Sequence, residues 1–320
     1  MPIDLPELDP KKITLTSLKS RHSKVSAADF GKALAPGGSF KGFIDSLPNI
    51  LSAKDLKDAA LAIAKAHKAG KTVMLAMGGH PVKVGLNPLI ISLLEKGLIS
   101  SISGNGSVMV HDSEIALNGS TSEDVSGTLD EGAFGVTDET GSLISLAARN
   151  AARDNLGLGK ALGQALLDLK PAYADLSLFC AAYKLKAPLT VHVALGTDVY
   201  NIHPDADGAA LGKASMDDFL TFSRLVATLE DGVFINLGSA VIMPEVFLKA
   251  VSLTRNLGFR QPGLTTINMD FIHQYRTRVN VVERPTHTGG KGYNLVGHHE
   301  IMFPLLMNMA LEYLESGEAR

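Results

Sequence analysis

The chain has 320 residues, 45% of them hydrophobic, which is enough for a substantial buried core and excludes a mainly disordered protein. Its 30 basic and 33 acidic residues are spread along the chain and leave a formal charge of -3, so nucleic acid is not an expected partner. The single cysteine, Cys180, lies in an apolar stretch and reads as a small buried hydrophobe. With no basic-then-apolar leader and no apolar run of the ~20 residues a membrane span needs, the chain reads as cytoplasmic, with no membrane partner.

Residues 1–50 carry three early prolines, the basic stretch Lys19 to Lys24 and Pro36-Gly37-Gly38. They read as an arm with short helices, suited to oligomer contact, ahead of a single α/β domain over 51–320. A helical period from Ser52 to about Lys68 ends at Gly70, where a C-cap is preferred. Thr72 to Met77 (TVMLAM) is a short apolar run opening into Gly78-Gly79, as a buried parallel strand does. A helix over Asn87 to Lys96 and a strand over Leu98 to Ser103, running into Gly104-Asn105-Gly106, complete a βαβ unit. Strands are expected again at Leu189 to Leu195, Val233 to Leu237 and Leu264 to Met269. Helical segments lie around Ser142 to Asn155, Gly159 to Leu169, Ala174 to Lys184, Met216 to Thr228, Pro244 to Asn256 and His299 to Ser316. The alternation predicts an α/β fold, a Rossmann-like parallel sheet with helices on both faces, whose ligands bind outside the carboxyl ends of the strands.

Those loops hold the candidate residues. In Gly78-Gly79-His80-Pro81-Val82-Lys83 the glycines would admit backbone close to a phosphate and Lys83 adds a cation, although an ordinary tight turn explains the glycines equally well. Ser103-Gly104-Asn105 is a second permissive loop. His111, Asp112 and Glu114 place three proton-transfer or metal-ligand types within four residues, which suits a histidine acid/base tuned by carboxylates. Asp198, just past a strand, can accept from ribose hydroxyls or cap its own loop. Gly238-Ser239 precede a helix whose first turn holds Glu245, where a carboxylate also stabilises the helix dipole. His203-Pro204-Asp205 reads as a polar turn, and His298, His299 and Glu300 stand at a helix start, where at most two can face one site.

The order and spacing of several segments resemble deoxyhypusine synthase and the bacterial proteins grouped with it, over roughly residues 50 to 315. The anchors are the strand and loop 72 to 85, SGNGSVMVHDSEIAL (103 to 117), ALGTD (194 to 198), FINLGSAVI (234 to 242) leading to Arg255-Asn256, TTINMD (265 to 270) and IMFPLLM (301 to 307). The resemblance implies NAD bound at subunit interfaces of a homotetramer, with His80, Lys83, Ser103, Gly104, Asp198, Gly238, Ser239 and Asp270 around it; Gly79 and Asn105 join them from the loops above. It also implies departures. Pro285 stands where the family has its active-site lysine, the acidic loop before that lysine is missing, Lys291 is the nearest substitute, Glu245 falls near the family's catalytic histidine, and His298 replaces a cofactor-contacting aspartate.

The resulting expectation is an NAD-dependent enzyme that abstracts hydride from a small amine-bearing substrate, with His111 or His298 as acid/base and Asp112, Glu114 and Glu245 orienting groups or pairing with a cation. Deoxyhypusine synthesis itself is not expected. The alternatives are a metal-dependent hydrolase using His111, Asp112, His203, Asp205, His298 and Glu300, and a non-catalytic NAD-binding module.

Overall fold

The computed structural model describes residues 2–319, and the chain divides into two compact units, Met1–Ala53 and Lys54–Arg320. The first unit holds short 3-10 turns at Pro10–Lys12 and Ala27–Asp29 and a helix at Phe40–Ser46, capped by the Ser39 side chain. Ile3, Leu5, Leu8, Leu15 and Leu18 in it are exposed.

In the second unit six strands form one sheet: β1 (Val73–Met77), β2 (Ser101–Asn105), β3 (Leu189–His192), β4 (Val233–Leu237), β5 (Thr265–Asp270) and β6 (Lys291–Val296). Their order is β3-β2-β1-β4-β5-β6, and every pair is parallel. β1 and β4 are buried along their whole length, as the unbroken apolar runs VMLAM and VFINL require of central parallel strands. Nine longer helices are labelled α1 (Leu51–Lys68), α2 (Asn87–Glu95), α3 (Gly106–Asn118), α4 (Asp138–Asp154), α5 (Leu158–Leu169), α6 (Leu178–Leu185), α7 (Gly208–Ala227), α8 (Ile242–Asn256) and α9 (His299–Glu315). Right-handed crossovers run one way from β1 and the other way from β4, so α2 and α8 fall on opposite faces of the sheet. On the α7/α8 face, Phe234 of β4 stacks on Phe247 of α8 at 3.6 Å, and Met74, Phe222, Val226 and Met243 complete that core.

One row of that sheet is polar. Asn236, Asn268 and Asn294 stand in register on β4, β5 and β6, and each side-chain amide donates to the next at 2.8 and 2.7 Å. A one-residue slip of any of these strands would break the ladder, so it reinforces the register that hydrophobic burial sets.

One expectation shifts and one strand is added. The Ser103-Gly104-Asn105 segment is not a loop: it is the carboxyl half of β2, and α3 begins directly after it. The glycine-rich stretch near Lys291 is an edge strand, β6, in which Tyr293 and Leu295 are buried and Lys291, Gly292 and Val296 are exposed. No helix among the described residues is long and apolar enough to cross a membrane.

Candidate functional site

The strand order reverses between β1 and β4, and the glycine turns after those strands meet there. A Cβ on Gly78 would lie 2.4 Å from the Gly238 carbonyl oxygen, and one on Gly79 would lie 2.6 Å from Oγ of Ser107 and 2.9 Å from Cδ2 of His111. Gly238 has φ +68, and its missing side chain makes room for the His299 ring, 2.4 Å from where a Cβ would stand. Glycine is therefore required at all three positions by the protein's own packing.

Beside this crevice, at the ends of β2 and β3, lies a cavity of about 370 Å³ lined by Lys83, Asn105, His111, Glu114, Asp198 and Tyr200, among others, and roofed by residues from the 122–137 loop. The amino end of α3 opens onto it through Gly106 and Ser107, while the Asn105 side chain caps the helix by accepting from the Val108 amide. Asp198 accepts from the Ala194 amide at 2.8 Å and from the Tyr200 hydroxyl at 3.0 Å, both through Oδ2. Burial pushes its carboxyl above the usual range, against the pull of those two bonds.

His111 and Glu114, one turn apart on α3, share this cavity. Nδ1 of His111 lies 2.7 Å from the Thr121 hydroxyl, which also donates to the Glu114 carboxylate; Nδ1 and Oε2 of Glu114 are 3.6 Å apart. Burial would raise the Glu114 carboxyl, but the nearby His111 ring and the hydrogen bond from Thr121 outweigh it and hold the group below the usual range.

A second cluster sits at the ends of β4, β5 and β6. His299, the first residue of α9, is 1% exposed; Phe271 stacks on its ring at 4.4 Å, and His80 meets it edge-on at 5.3 Å. Neither ring nitrogen of His299 has a formed hydrogen bond. The adjacent Asp270 spends Oδ1 on the Phe271 amide at 2.7 Å and leaves the buried Oδ2 without a partner. Burial lowers the pKa of both His299 and His80, so both rings are neutral near pH 7. His298, beside them, is exposed and 3.7 Å from Glu300.

Other candidates lie elsewhere. Asp112 is fully buried on the far side of α3, where it accepts from the Ser177 hydroxyl at 2.5 Å, the Leu178 amide at 2.7 Å and the Asn87 side chain at 2.9 Å. It anchors the start of α6 and takes no part in the cavity, because an adjacent helical position points away. Ser103 is buried and bonded to Thr190 within the sheet, and Ser239 is buried and holds the Met243 amide of α8. Gly104 packs against Val108. Glu245 is bound to Lys249, Asn280 and Arg276. His203 and Asp205 form the polar turn, tied to Asp138 and Arg149. The six residues of the hydrolase alternative are thus dispersed, and no group of three or more His, Cys, Asp or Glu among the described residues is placed to hold a metal ion. Pro285 is buried, its carbonyl accepting from Arg255 at 2.7 Å. Lys291 pairs with Thr265 at the amino end of β6, the opposite end of the sheet from both clusters, so it cannot stand in for the family lysine.

Sequence reasoning missed Thr121 and named His299 only as one of three residues at a helix start, with no role of its own. The only trace of Thr121 was its place in the polar run Gly119-Ser120-Thr121-Ser122, and His299 was masked by the more exposed His298 beside it.

The sequence matches no protein-family model and no curated protein. Among solved structures it is similar to ArgZ, an arginine dihydrolase of the ornithine-ammonia cycle in Cyanobacteria, at 14% identity and a TM-score of 0.51, over 80% of this chain and 32% of that one. A second likeness is to AgrE in a ternary complex with ornithine and NAD+, at 12% identity and a TM-score of 0.50, over 83% of this chain and 34% of that one. A candidate deoxyhypusine synthase from Entamoeba histolytica matches 88% of this chain and 96% of its own length at 12% identity, with a TM-score of 0.47, too distant to add weight. The chain spans about a third of the length of ArgZ and AgrE, and at these identities what they share with it is the fold: a six-stranded parallel α/β sheet.

Proposed function

We propose that this chain is an NAD-dependent enzyme that removes hydride from carbon next to nitrogen in a small amine-bearing substrate. The observation that carries the reading is the cavity beside the strand reversal, where a histidine held by a carboxylate faces the glycine turn of β1. The complex of the similarly folded AgrE with ornithine and NAD+ supports it.

The residues fit a dinucleotide in two respects. Among the described residues Asp198 Oδ1 has no hydrogen-bond partner, and it borders the cavity beside the amino end of α3, a pairing suited to ribose hydroxyls and a phosphate. Asp270 Oδ2 and the two nitrogens of His299 are buried polar atoms that lack partners, each costing about 1–3 kcal/mol unless a ligand completes them. About four inter-strand spacings of ~4.8 Å separate the ends of β3 and β5, a reach of the order of an extended dinucleotide. Bound there, NAD would supply the hydride acceptor.

The protein's own groups do the rest. Glu114, Glu123 and Asp198 outnumber Lys83 around the cavity, which favours a cationic amine and the positive charge that develops as hydride leaves the carbon beside nitrogen. His111 takes the proton that the substrate nitrogen gives up, with Glu114 balancing the imidazolium. No lysine other than Lys83 lines the cavity, so no transfer through a lysine imine at Lys291 belongs to this reading.

The test is titration calorimetry of NAD into the purified protein, followed by an amine panel read through the absorbance of reduced nicotinamide. Saturable binding and reduction by at least one amine are expected; no binding of NAD or NADP would end the reading.

A further inference from the structure

Resting on the reading of His111 as the base, the geometry points to Thr121 as its positioning residue: the hydroxyl bridges Glu114 and Nδ1, which leaves Nε2 as the free lone pair facing the crevice. A threonine hydroxyl has one hydrogen to give. Here it is given to the Glu114 carboxylate, which has none to offer in return. The 2.7 Å contact between the same oxygen and Nδ1 of His111 is then a hydrogen bond only if Nδ1 carries the proton. In a neutral imidazole that assigns the lone pair to Nε2.

The ring's orientation agrees. Cδ2, bonded to Nε2, is the atom 2.9 Å from the Cβ position of Gly79, so the Nε2 edge faces the β1 turn and the Nδ1 edge faces Thr121. Backbone geometry delivers the hydroxyl: Gly119 ends α3 at φ +74, and Ser122 at φ +71 folds the chain back over the helix. A non-glycine residue in the left-handed region costs about 1 kcal/mol, here next to the bridging residue itself. Of the other charged groups around the cavity, Lys83, Glu123 and Asp198, none makes a hydrogen bond to the ring, and Glu123 is bonded to the Gly135 amide at 2.8 Å instead.

When Nε2 accepts a proton from the substrate nitrogen, the Nδ1 proton stays where it is. The positive charge is then met through Thr121 by a carboxylate that its own hydrogen bonds keep ionised. The proton leaves from Nε2 to water, so the relay through Thr121 moves charge balance and no atom.

The experiment is nitrogen NMR of histidine-labelled full-length protein, recording tautomer and titration midpoint of His111 in wild type, Thr121→Val, Thr121→Ser and Glu114→Gln, with thermal unfolding of each. Wild type and Thr121→Ser should show the Nδ1-protonated tautomer. Thr121→Val should shift the tautomer ratio up to about tenfold toward Nε2–H, the worth of one hydrogen bond, and lower the titration midpoint. Glu114→Gln removes the charge while its amide oxygen still offers an acceptor to the Thr121 hydroxyl, so it should lower the titration midpoint, a readout that stands even if Thr121→Val fails to fold. An Nε2–H tautomer in wild type, or an unchanged midpoint in Glu114→Gln, would overturn the assignment. Calorimetry with NAD on the same samples keeps the two ideas separate, since a protein that binds no NAD yet shows the predicted tautomers loses the proposed reaction and keeps the bridge.

Discussion

Asp112 and Glu114 stand two residues apart on α3 and face opposite regions of the molecule. On the core side, Asp112 spends its oxygens on Ser177, Leu178 and Asn87, and burial pushes its pKa up to about 6 even though those bonds pull it down. On the cavity side, Glu114 is held low by His111 and Thr121, and its bonds orient another side chain beside open space. The two carboxylates are chemically alike, so what separates scaffold from site is the identity of their partners: backbone and cap groups for one, a titratable ring for the other.

The division of labour between the two faces of α3 fails first if the cavity side proves inert. His111→Gln should cut turnover by about 10²–10⁴-fold, the span of general-base catalysis, and cost about 1 kcal/mol of stability for the lost hydrogen bond to Thr121. Equal turnover in the variant would remove His111 from the reaction. Asp112→Ala should do the opposite, costing about 3–5 kcal/mol in urea unfolding by stranding the Ser177, Leu178 and Asn87 donors, while the folded protein keeps its nucleotide affinity. A loss of affinity without a loss of stability would move Asp112 into the site.

A smaller effect concerns the unpartnered groups at the β5/β6 end. His299→Leu removes two buried nitrogens that lack partners, so its melting temperature should hold or rise, whereas NAD affinity should fall about tenfold for a lost hydrogen bond. Affinity equal to wild type would show that these atoms await no ligand.

An effect read against pH concerns another buried carboxylate, Asp218, which burial pushes up to about 7 while the Val191 and Gly159 amides pull it down. A carboxyl raised on folding binds its proton more tightly in the native state, so its contribution is fully present below the unfolded value near 3.8 and is lost as pH rises toward 7. The stability advantage of wild type over Asp218→Asn should therefore narrow between about pH 4 and pH 7. An advantage that widens over that range, measured by unfolding at each pH, would show that the amide bonds win over burial.

Much of this fold could be read along the chain because its central strands are buried on both faces and so appear as unbroken apolar runs closed by glycine. β6 escaped because an edge strand needs to bury only alternate residues, here Tyr293 and Leu295, and Gly292 disguised it as a loop. The site was legible only in part. His111, Glu114 and Asp198 meet in one cavity, yet Asp112 looked their equal, since its partners Ser177 and Leu178 lie 65 and 66 residues away.

By itself the sequence determined the local chemistry of this protein: which runs become strands and helices, where glycine must turn the chain, and which residue types reach the ends of the strands. Apolar periodicity and backbone sterics act over a few residues and are written there. Only the tertiary structure decided that the sheet reverses between β1 and β4, that Thr121 stands between a histidine and a carboxylate, and that His299 is sealed beside Asp270. Those are contacts between segments that the chain order leaves apart, and a hydrogen-bonding group takes its role from the partner that folding brings to it.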